Sequence, residues 1–274
     1  MPDFEKLYYE DEVHWEHESL QDPANRERIH FTASLIPEDV KSLADIGCGN
    51  GVFVNFLQTA RPGLKILAVD RSTTALKYVQ TEKKLGDISG IPAENSAFDC
   101  VTCLEVIEHL PVQVYEKALQ ELARIAKDYI IISVPYLEEL EENHTQCPSC
   151  KTIFNYDLHM RSFSDETMKH LMDKYGFSCT SIHHLGMSIH FKGHYTFRKL
   201  FYKDQFRKWR SPICPLCGYN EKAEPAAQAN NSSVAANRPS SGRKLISYFT
   251  AVPKLFWPKE KKYYWIIGLY KKNA

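Results

Sequence analysis

Residues 42–60 read SLADIGCGNGVFVNFLQTA, and this stretch decides the fold. Leu43–Gly47 is an apolar run of strand length, and Gly51–Ala60 carries Val52, Phe56 and Leu57 at helical spacing. Between them, Gly47, Gly49 and Gly51 stand at alternate positions. Such a turn lets the backbone reverse tightly and lets a ligand approach where a Cβ would clash. The helix that follows offers unsatisfied N–H groups at its first turn. Strand, glycine turn and helix in this order form the opening unit of an α/β sheet.

Strand-like and helix-like stretches alternate outward from this unit. A helix over Pro23–Ile36, ended by Pro37, precedes it. After it the pattern predicts a strand Lys65–Asp70, a helix Thr73–Lys83 and a short strand ending near Asp87. Next come a strand Phe98–Val106, a helix Pro111–Ala126 and a strand Tyr129–Val134. A helix Ser164–Tyr175 closed by Gly176, a strand Phe177–Leu185 and a last apolar strand Tyr263–Lys272 complete the series. Alternation of this kind predicts a parallel sheet with helices on both faces. Four segments follow: 1–37 as an N-terminal lid or helical segment, 38–189 as the core, 190–262 as an insertion, and 263–274 as the final core strand. Residues 220–243, rich in Ala, Asn, Ser and Pro, read as a flexible linker.

The composition excludes other classes. With 43% hydrophobic residues the 274-residue chain is not a disordered polymer, and 8 Cys are too dilute for a disulfide scaffold. Equal counts of 34 Lys+Arg and 34 Asp+Glu hide a polarity. Residues 190–274 hold 17 basic against 4 acidic side chains, together with 16 of the 33 aromatics. Lys192, Arg198, Lys199, Lys203, Arg207, Lys208 and Arg210 alternate with Phe197, Phe201, Phe206 and Trp209. Interleaving of this type suits an anionic surface: membrane headgroups, polyphosphate or nucleic acid. The acidic N-terminus lacks an apolar leader and no run reaches spanning length, which predicts a cytoplasmic protein, peripheral at most on the inner face of a membrane.

Acids follow the glycine turn at informative intervals. Asp70 ends the next strand, where a carboxylate can accept both ribose hydroxyls of a nucleoside. Asp87-Ile88 follows the third strand, placed to accept an adenine amino proton and to cover the ring. These residues resemble the class I S-adenosylmethionine-dependent methyltransferases. DIGCGNG (Asp45–Gly51) is similar to their first motif, AVD (Ala68–Asp70) to the second, GDISGIP (Gly86–Pro92) to the adenine segment, and FDCVTCLEVIEHL (Phe98–Leu110) to the fourth-strand motif. A dinucleotide oxidoreductase would show Gly-x-Gly-x-x-Gly, which this turn does not.

The resemblance implies a Rossmann-like, doubly wound, mostly parallel sheet of seven strands with an antiparallel last strand. It implies S-adenosylmethionine as methyl donor. Asp45 and the backbone around Gly47 and Gly49 would hold its amino-acid part, Asp70 the ribose, Asp87 and Ile88 the adenine, the backbone near Leu104 and Glu105 would line the methyl side, and Cys48, Gly51 and Arg71 would belong to the same donor site.

A sulfonium methyl is already electrophilic, so such an enzyme mainly has to hold a nucleophile in line, with a base only where the acceptor must lose a proton. Glu105, Glu108 and His109 are the candidates, since spacings of three and four share a helical face. His159 in DLHMRSF (Asp157–Phe163) joins them. Glu-x-x-Glu-His with a downstream His also resembles the metal-binding run of small-RNA 2′-O-methyltransferases. Related small-molecule enzymes carry EVIEHL and His-x-Arg-x-Phe without a catalytic metal, and a structural role for His109 stands beside both.

Cys147-Pro-Ser-Cys150 and Cys214-Pro-Leu-Cys217 are paired knuckles. Two Cys-x-x-Cys turns supply four thiolates and leave no open position, which predicts a structural zinc that clips two insertions, one after the fifth strand and one before the last, into a substrate-side cap over the carboxyl ends of the strands. Disulfides are the rival reading. Cys48, Cys100, Cys103 and Cys179 read as buried small hydrophobes.

Together these features point to methyl transfer to a small-molecule or glycan acceptor, phosphate-bearing or lipid-linked. An RNA methyltransferase using the basic segment, and a non-catalytic module at a membrane surface, are the alternatives.

Overall fold

The structure is a computed structural model that describes residues 4–12, 15, 20–191, 206, 213–220 and 259–273. The seven basic residues named between 192 and 210, and all of the 220–243 linker but its first residue, lie outside the described residues.

Seven strands form one sheet in the order β3-β2-β1-β4-β5-β11-β8. They are β1 (Ser42–Ile46), β2 (Lys65–Asp70), β3 (Glu82–Leu85), β4 (Phe98–Leu104), β5 (Ala126–Pro135), β8 (Phe177–Leu185) and β11 (Trp265–Lys272). The first five pair in parallel, while β11 runs antiparallel between β5 and β8. The doubly wound, mostly parallel sheet with an antiparallel last strand is therefore present.

Period two along each buried strand divides the core into two layers. Ala44, Ile46, Val101, Cys103, Ile130, Ile132 and Val134 point to one face, under α4 (Val112–Ile125) and α5 (Asp165–His170). Leu43, Cys100, Ile131 and Ile267 point to the other, under α2 (Pro23–Ser34) and α3 (Val52–Ala60). A short α1 (Phe4–Tyr9) precedes them. Helix α2 starts where the sequence places it, with Asp22 accepting N–H bonds from Ala24 and Asn25. It ends two residues before the predicted Ile36.

The helix expected over Thr73–Lys83 does not form. A single 3₁₀ turn (Ala75–Tyr78) is followed by β3. Two side chains divert the backbone. Asn55 donates to the Tyr78 carbonyl at 3.0 Å and accepts the Gln80 N–H at 2.8 Å. The Lys83 ammonium donates to the carbonyls of Leu76 and Val79 at 2.7 and 2.9 Å. The following residues then find partners in the β2 ladder rather than in a helix. The predicted helix Ser164–Tyr175 likewise splits into α5 and a 3₁₀ turn (Asp173–Tyr175), with Ser164 as N-cap and Gly176 at a φ of 83°.

Two small ribbons were absent from the strand pattern. A hairpin of β6 (His144–Gln146) and β7 (Ile153–Asn155) follows β5. A ribbon of β9 (Ser188–Phe191) and β10 (Lys259–Lys262) extends β8 and β11 beyond the sheet. Among the described residues no helix is long and apolar enough to cross a membrane.

Candidate active site

The carboxyl ends of β1, β2 and β4 open onto a cavity of about 740 Å³, within the range of roughly 300–1,000 Å³ usual for ligand sites. Its floor is the glycine turn. Gly47, Gly49 and Gly51 have φ of 77°, 54° and 79°, the left-handed region that a Cβ disfavours. At Gly47 a Cβ would also lie 2.4 Å from Val106 Cγ2. The turn is pinned to β2, because the N–H groups of Gly47 and Cys48 donate to the Val69 carbonyl at 2.8 and 3.1 Å.

Asp70 faces this turn. Its Oδ2 accepts the Gly49 N–H at 2.8 Å, and its Oδ1 accepts the Ser72 N–H at 2.8 Å. Each oxygen keeps a lone pair for a further donor. Burial raises the carboxyl above its ordinary range, opposed by those backbone bonds. Asp45, at the end of β1, is 2% exposed. Its Oδ1 accepts the Thr102 hydroxyl at 2.6 Å, and burial pushes its pKa up to about 7 against that bond, with the Asp70 charge adding to the rise. Asp87 also lines the cavity, its Oδ1 held by the backbone N–H and hydroxyl of Ser89 at 2.8 and 2.6 Å. Cys48, Arg71, Ile88, Leu104 and Glu105 complete the wall. Gly51 does not line it. That residue caps α3, where a Cβ would lie 2.8 Å from Val79 Cγ2.

Glu108, His109 and His159 also line the cavity, with ligand-type atoms all within 4.8 Å of one another. A 3₁₀ turn (Ile107–His109) presents the first two. The strap Asp157–Phe163 brings His159 against them through two backbone acceptors. Met160 N–H donates to the Glu108 carbonyl at 2.8 Å, and Arg161 Nη1 to the Ile107 carbonyl at 2.5 Å. The Arg161 guanidinium stacks on Tyr115, 3.9 Å from the ring centroid, and Phe163 is buried. His109 and His159 meet edge to face at 4.6 Å.

Glu108 is fully buried, and neither of its carboxyl oxygens has a hydrogen-bond partner among the described residues. Burial, then the charge of Glu105, raises its carboxyl well above the ordinary range. A buried acid in this state suits a proton carrier or a cation ligand.

Glu105 is not part of this trio. It adopts a φ of 58°, a left-handed conformation costly for a residue with a Cβ. Its Oε1 accepts the Ser133 hydroxyl at 2.7 Å and lies 3.8 Å from Arg28 Nη1. Arg28, on α2, has no motif around it and was missed in the sequence. It sits over the Trp265 ring at 5.5 Å, and its Nε is buried without a hydrogen-bond partner among the described residues. Trp265 and Tyr264 border the cavity, as do Tyr9 and Trp15 of the N-terminal segment. Glu10 ties that segment down by accepting the N–H groups of Thr73 and Thr74, each at 3.0 Å. Burial opposes its charge, yet these bonds bring its pKa down to about 2.

The four knuckle cysteines converge away from the cavity. Sγ atoms of Cys147 and Cys217 are 3.7 Å apart, those of Cys150 and Cys214 3.6 Å, and all four lie within 4.8 Å. Disulfide sulfurs would be about 2 Å apart, whereas thiolates on a tetrahedral ion with bonds near 2.3 Å stand about 3.8 Å apart. The knuckles match each other. Lys151 N–H donates to the Cys147 carbonyl and Gly218 N–H to the Cys214 carbonyl, at φ of 63° and 70°. Lys151 thus adopts the glycine conformation of the second knuckle. Cys100 and Cys103 are fully buried in β4, and Cys179 is half-buried in β8.

A glycine turn between parallel strands, with an acid on each of three strand ends, is matched by a family model described as a methyltransferase domain over residues 15–182. The chain belongs to that methyltransferase family. It is 28% identical over 111 residues to the ubiquinone biosynthesis O-methyltransferase of Paracidovorax citrulli, covering 36% of this chain and 45% of that one. The Xanthomonas campestris protein of the same name is 27% identical over 110 residues. The chain thus spans about half the length of the curated relatives it matches. Among solved structures, a Bacillus halodurans protein designated a methyltransferase aligns with a TM-score of 0.52 and 15% identity, over 90% of this chain and 98% of that one. The [4+2]-cyclase SpnF aligns with a TM-score of 0.52 and 14% identity, over 94% and 85%. A cyclase on this fold means that the fold does not itself specify the reaction.

Proposed function

We propose that the chain is an S-adenosylmethionine-dependent methyltransferase acting on a hydroxyl of a small-molecule or glycan acceptor. The carrying observation is Asp70, a buried carboxylate with a spare lone pair on each oxygen, set against a glycine turn that a Cβ would block. When bound, the donor supplies a methyl on a positively charged sulfur. Asp70 would hold the ribose diol, Asp87 and Ile88 the adenine, Asp45 the ammonium and Arg28 the carboxylate. Glu108, His109 and His159 stand across the cavity to orient the acceptor and receive its proton. Calorimetry with S-adenosylhomocysteine tests the donor site. A deuterated-methyl donor with mass spectrometry of phenolic, sugar and lipid-linked acceptors tests the reaction. No binding, or binding unchanged in Asp70→Ala, refutes the reading.

The buried carboxyl of Glu108, which accepts no hydrogen bond among the described residues and lies 4.0 Å from His109 Nε2, favours a second element. Glu108, His109 and His159 offer one oxygen and two nitrogens, a donor set that fits a divalent cation. Such an ion would polarise an acceptor oxygen. The four cysteines fit a closed structural zinc site, expected at one zinc per chain. The basic 190–274 segment supports a phosphate-bearing or lipid-linked acceptor at an anionic surface. RNA remains the rival acceptor, and its binding would weaken steeply with salt.

A further inference from the structure

Glu138 lies outside every motif and ties the hairpin segment after β5 to the strap that carries His159. It follows β5 and has a 13% exposed side chain. Its Oε1 accepts Nδ2–H bonds from Asn143 at 2.8 Å and Asn155 at 3.3 Å. Its Oε2 meets Nδ1 of His159, whose side chain is 10% exposed.

Asn155 closes the circuit. It ends β7, at the foot of the hairpin whose tip is the Cys147–Cys150 knuckle. Its Oδ1 accepts the backbone N–H groups of Asp157 at 2.9 Å and His159 at 3.3 Å, and its Nδ2 also donates to the Leu140 carbonyl at 3.2 Å. One amide therefore fixes both the turn that carries His159 and the carboxylate that faces its ring. Oε1 of Glu138 is taken up by two amide N–H groups and Oε2 faces Nδ1, so the carboxylate is placed as the acceptor and Nδ1 as the donor, which leaves the ring lone pair on Nε2.

We propose that Glu138 is the positioning residue of the acceptor wall: it holds His159 as the Nδ1–H tautomer with Nε2 left for the cavity, and the cysteine-tipped hairpin holds both residues in place through Asn155. The inference rests on the reading of Glu108, His109 and His159 as the acceptor wall. Carboxylates behind a histidine in this way set its tautomer and orientation, and their loss typically lowers metal affinity about 10–100-fold.

The test uses the full chain labelled with ¹⁵N, the His159 ring signals being assigned by their loss in His159→Gln. Wild type is expected to show a protonated Nδ1 and a bare Nε2. Glu138→Ala should shift the ring toward the Nε2–H form and weaken Mn²⁺ binding about 10–100-fold. Affinity for S-adenosylhomocysteine and the melting temperature should stay near wild type. Glu138→Gln, whose amide oxygen can still accept from Nδ1, should restore the tautomer. An unchanged tautomer in Glu138→Ala overturns the proposal, whatever happens to Mn²⁺. Parallel losses of Mn²⁺ and S-adenosylhomocysteine binding also overturn it, because they mean general collapse. If wild type binds no Mn²⁺ but the tautomer responds, the positioning role stands and only the cation reading falls.

Discussion

The two walls of the cavity are built on different principles. The proposed donor wall is made of strand ends and backbone: Gly47–Asn50 after β1, Asp70 at the end of β2, Asp87 after β3. Each piece lies within a few residues of a strand that the sheet holds rigidly. The proposed acceptor wall is made of side chains brought together over long chain separations. Glu108 and His109 come from a turn after β4, and His159 from a strap after the cysteine hairpin, with Glu138, three residues past β5, behind it. The first wall depends on the sheet, the second on a network of single hydrogen bonds.

The largest expected effect lies on the donor wall. Asp70→Ala removes a charged acceptor for two hydroxyls and releases Gly49 and Ser72. With hydrogen bonds to charged groups worth about 1.5–3 kcal/mol each, affinity for S-adenosylhomocysteine should fall more than about 100-fold in calorimetry. A comparable cut on the acceptor wall should act on turnover alone. Glu108→Gln or His159→Ala should slow methyl transfer about 10²–10³-fold, within the usual yield of a positioned proton acceptor, and leave S-adenosylhomocysteine binding within about twofold. If donor affinity drops with turnover, the walls are one unit and the contrast is false.

The contrast also explains what was legible. β2 and β8 were read to their observed ends: β2 is an apolar run closed by Asp70, and β8 is framed by Gly176 and Gly186. The place of Asp45, Asp70 and Asp87 on the cavity was legible because a strand end fixes a side chain's position by itself. The helix over Thr73–Lys83 was misread because Asn55 and Lys83 capture its backbone carbonyls, and no local pattern reveals a side chain that caps another segment. Glu138 and Arg28 were invisible for the same reason. Arg28 lines the cavity where β11 brings Trp265 beneath it, a contact across distant parts of the chain. The knuckles were legible as a pair, since Cys-Pro-x-Cys carries its own geometry, but their link to His159 through Asn155 needed the structure.

Cutting the second knuckle probes that link. Cys214→Ser should reduce zinc from one per chain to none by metal analysis. The melting temperature should fall several degrees, as for a loss of a few kcal/mol in a domain of this size. If the hairpin frames His159, the Nδ1 proton signal should also broaden while the donor site still binds S-adenosylhomocysteine. A folded, zinc-free Cys214→Ser protein with an unaltered His159 signal would separate the hairpin from the acceptor wall.

The smallest effect concerns pH and sharpens the donor side. The Asp45 carboxyl stands at about 7 in the folded chain, against an ordinary 3.8. Because the folded value is the higher one, the folded state holds an extra proton between those limits, and the ligand-free chain should lose stability as pH rises toward 7. A donor ammonium beside Asp45 favours the ionised form, so binding below pH 7 must first expel that proton. Affinity for S-adenosylhomocysteine should therefore climb between pH 5.5 and 7.5, by up to about tenfold per unit below the pKa, and then level off. In Asp45→Asn the climb should vanish. The ligand-free variant should melt above wild type at pH 8, since the amide still accepts from Thr102 without a buried charge. A wild-type affinity that stays flat across this range would mean that Asp45 is already ionised, or that the ammonium is held elsewhere.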